Sequence, residues 1–202
     1  TESLIGHGIG VNVTVSFTVP QAVAAAEAIE RGLKLAKNPE SIHPYVTIMQ
    51  GRMGDHLKRV RDDDGIGIDP EAIEWAGIAV FKRAAAIFEE RGYKATLLGA
   101  AFRSMQQWSA NIGPNVLLTI PYQNWNEYDA ADVDVKLSLQ DPVNPEYVRA
   151  LKGQFEDFRR AYEPDGMMPD EFSGFGASIH TLNQFIEGYY ELLAIVRARM
   201  LV

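Results

Sequence analysis

Two arginines carry the most chemical information in this sequence. Arg52 follows Gln50-Gly51 and Arg103 follows Ala101-Phe102, so each stands at the carboxyl end of a short apolar run. Where such runs are parallel strands of an α/β protein, ligands bind beyond their carboxyl ends. A guanidinium there offers a planar fork of donors that matches a phosphate or a carboxylate. Two convergent arginines therefore predict an anion site. The competing expectation is that each pairs with a structural carboxylate such as Asp55. Other clusters carry less. Gly6-His7-Gly8-Ile9-Gly10 has the glycines of a phosphate loop but precedes a strand, so a tight helix-to-strand turn is expected. Asp62-Asp63-Asp64-Gly65 lacks the spaced oxygens and closing Glu of a calcium loop. The four histidines, His7, His43, His56 and His180, have no ligand spacing that suits zinc.

The elements that must position the arginines can be read from periodicity. Val11 to Phe17 alternates strictly, with Val and Phe on one face and Asn12, Thr14 and Ser16 on the other. Tyr45 to Met49, Ala95 to Ala101 and Asn115 to Ile120 are three further strand-like runs, the last ended by Pro121. Gln21 to Lys37 and Pro70 to Arg91 have helical spacing, with Asp69-Pro70 as a start signal and Gly92 as a stop. Strands alternating with helices imply right-handed crossovers and a parallel sheet. The basic run Lys58 to Arg61, followed at once by three aspartates, reads as a solvated loop. Beyond Pro121, the stretch from Tyr122 to Asp141 reads as irregular. Two helices are expected after it, Pro145 to Tyr162 and Ser178 to about Met200, the second with an apolar stripe that must pack on the same domain or on a partner subunit.

Composition narrows the function. The chain has 202 residues, 47% of them apolar, with 19 Lys+Arg against 27 Asp+Glu and a net charge of −8. That balance argues against nucleic acid or a membrane surface as partner, since both demand clustered cations. There is no cysteine, which removes disulfides, thiol catalysis and thiolate metal sites. No apolar stretch approaches the ~20 residues of a membrane span, and Thr1-Glu2-Ser3-Leu4 does not open a signal peptide. A cytoplasmic setting is expected, and the absence of an initiator Met suggests processing or truncation. The length is short of the about 250 residues of a closed (β/α)8 barrel.

The strand motifs resemble the transaldolase family. Val11-Asn12-Val13-Thr14 is similar to its fifth barrel strand. Thr47-Ile48-Met49-Gln50-Gly51-Arg52-Met53-Gly54-Asp55 resembles its sixth-strand motif Ser-Pro-Phe-x-Gly-Arg-x-x-Asp. Leu98 to Ser104 resembles the seventh-strand Gly-Ala-Ser-Phe-Arg, and Leu118-Thr119-Ile120-Pro121 the eighth-strand Leu-Thr-Ile. The resemblance implies a TIM (β/α)8-barrel α/β fold of which this chain is the C-terminal half. It would form one transaldolase-like domain, with residues 1–121 as barrel units five to eight and 122–202 as a C-terminal helical region.

The same resemblance implies a class I transferase. A lysine forms a Schiff base with the C2 carbonyl of a ketose phosphate, and a dihydroxyacetone unit passes to an aldose phosphate with no metal or organic cofactor. Asn12 would hydrogen-bond the dihydroxyacetone unit, Thr14 would position the proton-relaying water, and Arg52 and Arg103 would bind the substrate phosphate. Thr47, Met49 and Ala101 complete the expected substrate wall, each as a departure. Thr47 replaces a Ser and keeps the hydroxyl, Ile48-Met49 replaces Pro-Phe, and Ala101 replaces a Ser and loses the hydroxyl. Gln50 and the stretch from His56 to Asp69 are also unusual for the family. The family's Schiff-base lysine lies on the fourth strand and its acid/base carboxylates on the first and third, all of which would precede Thr1. The partners expected are therefore sugar phosphates and either a missing N-terminal half-barrel or another copy of the chain. A Schiff-base sugar-phosphate aldolase and a non-catalytic sugar-phosphate-binding or assembly protein are the alternatives.

Overall fold

A computed structural model of the chain describes residues 1–200. Its centre is a four-stranded parallel sheet in the order β1 (Asn12–Ser16), β2 (Tyr45–Met49), β3 (Thr96–Ala100), β4 (Val116–Leu118). Between strands run α2 (Val19–Leu35), the pair α3 (Gln50–Asp64) and α4 (Pro70–Arg91), and the short α5 (Gln106–Ser109). The chain opens with α1 (Glu2–Gly6) and closes with α6 (Tyr122–Asp129), α7 (Pro145–Gln154), α8 (Glu156–Tyr162) and α9 (Gly176–Met200). This is an α/β fold. One face of the sheet, through Val46, Ile48 and Leu97, is buried beneath Ala26, Ile29, Ala76, Val80 and Phe81 of α2 and α4. The other face shows Asn12, Thr14 and Leu117 to solvent.

Local chemistry sets the helix ends. Thr18 Oγ1 accepts from the Gln21 amide while Gln21 Oε1 accepts from the Phe17 amide, a reciprocal cap that starts α2 just past β1. Asp69 caps α4 through the Glu71 amide, and Gly92 ends it at φ +62°. The turn expected at Gly6 to Gly10 indeed joins α1 to β1.

Several expectations are corrected. The run from Lys58 to Asp64 is helix, not loop: α3 continues to a left-handed Gly65, and Lys58 pairs with Glu74 of α4 at 2.5 Å. Tyr122 to Asp129 is helix rather than irregular. The segment from Pro145 to Tyr162 is two helices, broken where Phe155 turns to extended geometry and buries its ring. β3 stops before Ala101, and β4 is confined to Val116–Leu118. Ser16 does not share the open face with Asn12 and Thr14. Val15 takes φ +59° and the β1–β2 register slips between Val13 and Ser16, a bulge that turns Ser16 into the interior. The apolar stripe of α9, Ile179, Leu182, Ile186, Tyr189, Leu193 and Val196, is exposed along its length rather than packed on the domain; the helix is buried only through Ala177, Ser178 and Thr181 at its start.

Candidate functional site

The two arginine-bearing turns meet at a glycine. β2 runs straight into α3, so Gly51 and Arg52 form the helix's first turn, which no side chain caps. Gly51 abuts the Ala101 carbonyl and the Arg103 side chain so closely that any Cβ there would overlap them. Gly77 of α4 serves the same purpose from behind, letting its helix rest on the Gln50 backbone. Ala101 itself stands at φ +57°, a left-handed conformation that a residue with a Cβ adopts only under constraint. It redirects the chain from β3 so that Arg103 falls beside α3. Non-glycine strain thus occurs at the carboxyl ends of both β1 and β3, through Val15 and Ala101.

The guanidiniums have unequal partners. Arg103 donates from Nε and Nη2 to Asp55 Oδ2 at 3.2 and 3.0 Å and from Nη1 to its neighbour carbonyl Ala101 at 3.0 Å. Asp55 is thus the carboxylate partner expected for at least one arginine. Arg52 instead donates from Nη1 to Gln184 Oε1 of α9, and its Nε is buried with no acceptor among the described residues. Burial first, and then the nearby Arg103, hold Arg52 below the usual arginine value. Two mutually repelling cations and an unspent Nε at the first turn of a helix can together bind an anion. Ser104 Oγ and Trp108 Nε1 are also buried with no partner among the described residues.

A buried amide network fixes the turns behind the cations. Gln107 Oε1 accepts from the Arg103 amide at 2.6 Å. Asn111 Nδ2 donates to the Gln107 carbonyl and to Gln50 Oε1, at 2.8 and 3.0 Å, tying α5 to the residue before Gly51. On the open sheet face Thr47 Oγ1 donates to Asn12 Oδ1 at 2.7 Å. Asn12 is level with Tyr45, so it lies on the order of 13 Å along the strands from the level of Met49. Asn12, Thr14 and Thr47 therefore form a polar strip on the sheet, and Arg52 and Arg103 form a cationic group beyond its edge, with Met49 and Ala101 between. Sequence reasoning missed Gln107, Asn111 and Gln184. Gln107, four residues after Arg103 where a helix begins, left a local signal; Gln184, 132 residues from Arg52, left none.

A profile of the transaldolase/fructose-6-phosphate aldolase family matches residues 1–168. This chain belongs to that family. It is similar to a transaldolase of Acidobacterium capsulatum, 29% identical over 199 residues that cover 96% of this chain and 54% of that protein. A transaldolase of Prochlorococcus marinus is also 29% identical, over 95% of this chain and 54% of its own length. A third, from Alteromonas mediterranea, is 29% identical over 85% and 48%. The chain spans about half the length of the curated relatives it matches. The arginine turns, Gly51 and Ala101 all lie within the segment matched by the family profile.

The lysines of this family member stand apart from the arginine edge. Lys58, Lys136 and Lys152 are paired with Glu74, Asp134 and Glu163. Lys34 and Lys37 are at the far end of α2, and Lys94 precedes β3. Lys82 lines a cavity of about 740 Å³ at the amino ends of β3 and β4. Burial holds it below the ordinary lysine value, which suits a nucleophile, but its Nζ donates to the carbonyls of Ser138, Leu139 and Asp141 at 2.5, 3.3 and 2.8 Å. Three donors spent on three backbone acceptors make it a clamp for the segment after α6. Among the described residues, no helix is long and apolar enough to cross a membrane.

Proposed function

We propose that this chain is the C-terminal half of a (β/α)8 barrel whose whole protein transfers a dihydroxyacetone unit from a ketose phosphate to an aldose phosphate. Residues 1–121 supply barrel units five to eight and 122–202 the helices that flank them. The observation that carries the reading is the joining of Arg52 and Arg103 at Gly51, beyond the carboxyl edge of a parallel sheet in a chain of this family. The substrate phosphate binds the two guanidiniums and orients the sugar chain down the open face. There Asn12 holds the dihydroxyacetone unit and Thr14 the water that relays protons. Thr47 fixes the Asn12 amide by donating to its oxygen, which leaves the Asn12 NH2 group to donate to a substrate hydroxyl. Met49 and Ala101 line the path between. The lysine that forms the Schiff base comes from the N-terminal half of the barrel, as do the acid/base carboxylates. The reaction takes place in the cytoplasm on sugar phosphates and requires neither metal nor organic cofactor.

Borohydride trapping with fructose 6-phosphate, read by intact mass, tests this. A parent protein that carries both halves gains a reduced three-carbon adduct, and the present chain alone gains none. A parent that never gains the adduct overturns the proposal. Two second readings have support of their own. The family profile also covers fructose-6-phosphate aldolases; product assays with and without an acceptor aldose phosphate separate transfer from release. The lysines described above favour a non-catalytic sugar-phosphate-binding or assembly protein, which a non-lysine at the parent's fourth-strand position would support.

A further inference from the structure

The two-arginine site is reached by an element from the far end of the chain. Gln184 of α9 accepts from Arg52. His180 precedes Gln184 by four residues, one helical turn, so both side chains project from the same face of α9. That face is held in place by buried neighbours. Ala177 and Thr181 are buried, Ser178 Oγ accepts from Gln21 Nε2 at 3.3 Å, and Gly176 lies against the His56 ring. His180 is half-buried at the α3–α9 contact. The charged groups that face it are Arg52, Asp55 and Arg59 of α3 and Glu187 of its own helix. β1, also packed on α9, carries only Asn, Thr and Ser as polar residues, and in the 3-10 turn before α9 Glu171 is engaged by Arg160 while Asp170 is exposed.

We propose that His180 is the third ligand-binding side chain of the anion site, a proton-gated donor that α9 adds to Arg52 and Arg103. The proposal rests on the reading of those arginines as the phosphate seat. Its logic is linkage. Burial, then Arg59 and Arg52, hold the His180 imidazole below the ordinary histidine value. A bound anion neutralises the cations that discourage the proton. Anion binding therefore raises the His180 pKa, and by reciprocity protonation of His180 tightens anion binding. The Gln184 carbonyl oxygen occupies the Arg52 donor that an anion oxygen takes when it binds.

Sulfate is the probe, because it remains a dianion across the range in which histidine titrates, whereas phosphate does not. Calorimetric titration of the 202-residue chain is expected to show sulfate bound about fivefold more tightly at about pH 5.5 than at about pH 8. Imidazole NMR should show the His180 pKa rising on addition of sulfate. His180→Gln and His180→Asn should bind with the wild-type high-pH affinity at both pH values, and Arg52→Ala should lose binding at both. Unchanged His56 resonances report an intact fold. If both His180 variants keep the pH dependence while Arg52→Ala abolishes binding, the role of α9 is overturned and the two-arginine reading stands. If Arg52→Ala and Arg103→Ala bind sulfate as well as wild type, the two-arginine reading itself falls.

Discussion

The two ends of the sheet hold Lys82 and Arg52 in opposite ways. At the amino end Lys82 is half-buried and has spent its three donors on the carbonyls of Ser138, Leu139 and Asp141. At the carboxyl end Arg52 keeps a buried Nε with no partner among the described residues, while Arg103 is engaged by Asp55 and by the Ala101 carbonyl. Both ends have a left-handed non-glycine residue. At the amino end it is Asn115, a residue type that tolerates φ +58°. At the carboxyl end Val15 and Ala101 gain nothing from their side chains in that conformation. Arg83, which lines the same amino-end cavity as Lys82, also keeps a buried Nε with no partner among the described residues, so an unspent donor alone does not separate the ends; the enforced left-handed geometry of Val15 and Ala101 does.

The contrast breaks most severely at Gly51. Gly51→Ala places a Cβ on the Ala101 carbonyl and the Arg103 Cγ, backbone and side chain that are both fixed by neighbours. A loss of about 3 kcal/mol in urea-monitored stability is expected, together with loss of sulfate binding. Retention of both would show that the two turns are not joined there. Lys82→Met tests the other end. Three carbonyls lose their donor, so a loss of about 2 kcal/mol is expected with sulfate affinity unchanged. A fall in sulfate affinity would erase the distinction between the two ends.

A third test concerns how the carboxyl end is braced. His56 of α3 is buried, and its Nε2 meets Asp157 Oδ2 of α8 at 2.7 Å. The hydrogen bond from His56 is the main reason the Asp157 carboxyl is held below its ordinary value. A carboxyl depressed in the folded state stabilises above its unfolded pKa of about 3.9, and that stability is lost as pH falls through the folded value. Asp157→Asn should therefore cost about 1–2 kcal/mol at neutral pH, discounted for partial exposure, and the gap from wild type should close below about pH 4. A gap that persists in acid would assign the bond's worth to packing, not charge.

What could be read from residues alone divides along the same physical line. Strands and helix starts with local signals were legible: the Tyr45 to Met49 run is β2, and Asp69-Pro70 and Gly92 bound α4. The placement of Arg52 and Arg103 just beyond β2 and β3 was also legible, because position after an apolar run is itself local. The charged run from Lys58 to Asp64 misled because its helix is held by a partner outside it, Glu74. Ser16 misled because alternation assumes unbroken pleating, and the bulge at Val15 is stabilised only by what surrounds it. Asp55 was foreseen as a partner, yet its choice of Arg103 over Arg52 depends on the turn at Ala101. Gln184 was invisible, since nothing local announces a helix returning from more than a hundred residues away.

Ala101 offers the gentlest test. Its φ of +57° costs an L-residue with a Cβ about 1–2 kcal/mol relative to right-handed geometry, whereas glycine adopts it freely but gives up more chain entropy on folding, about 0.5–1 kcal/mol. Ala101→Gly should therefore stabilise the chain by about 0.5–1 kcal/mol. The orientation of Arg103 is set by Asp55, by Gln107 at its amide and by Gly51 beneath it, none of which needs the Ala101 methyl. Sulfate affinity should then hold within about twofold, well under 1 kcal/mol. Urea unfolding and sulfate calorimetry on the same sample check both halves. A stabilised variant with weakened sulfate binding would mean that the strain itself orders the arginines, and that the carboxyl end trades stability for readiness more directly than its hydrogen bonds imply.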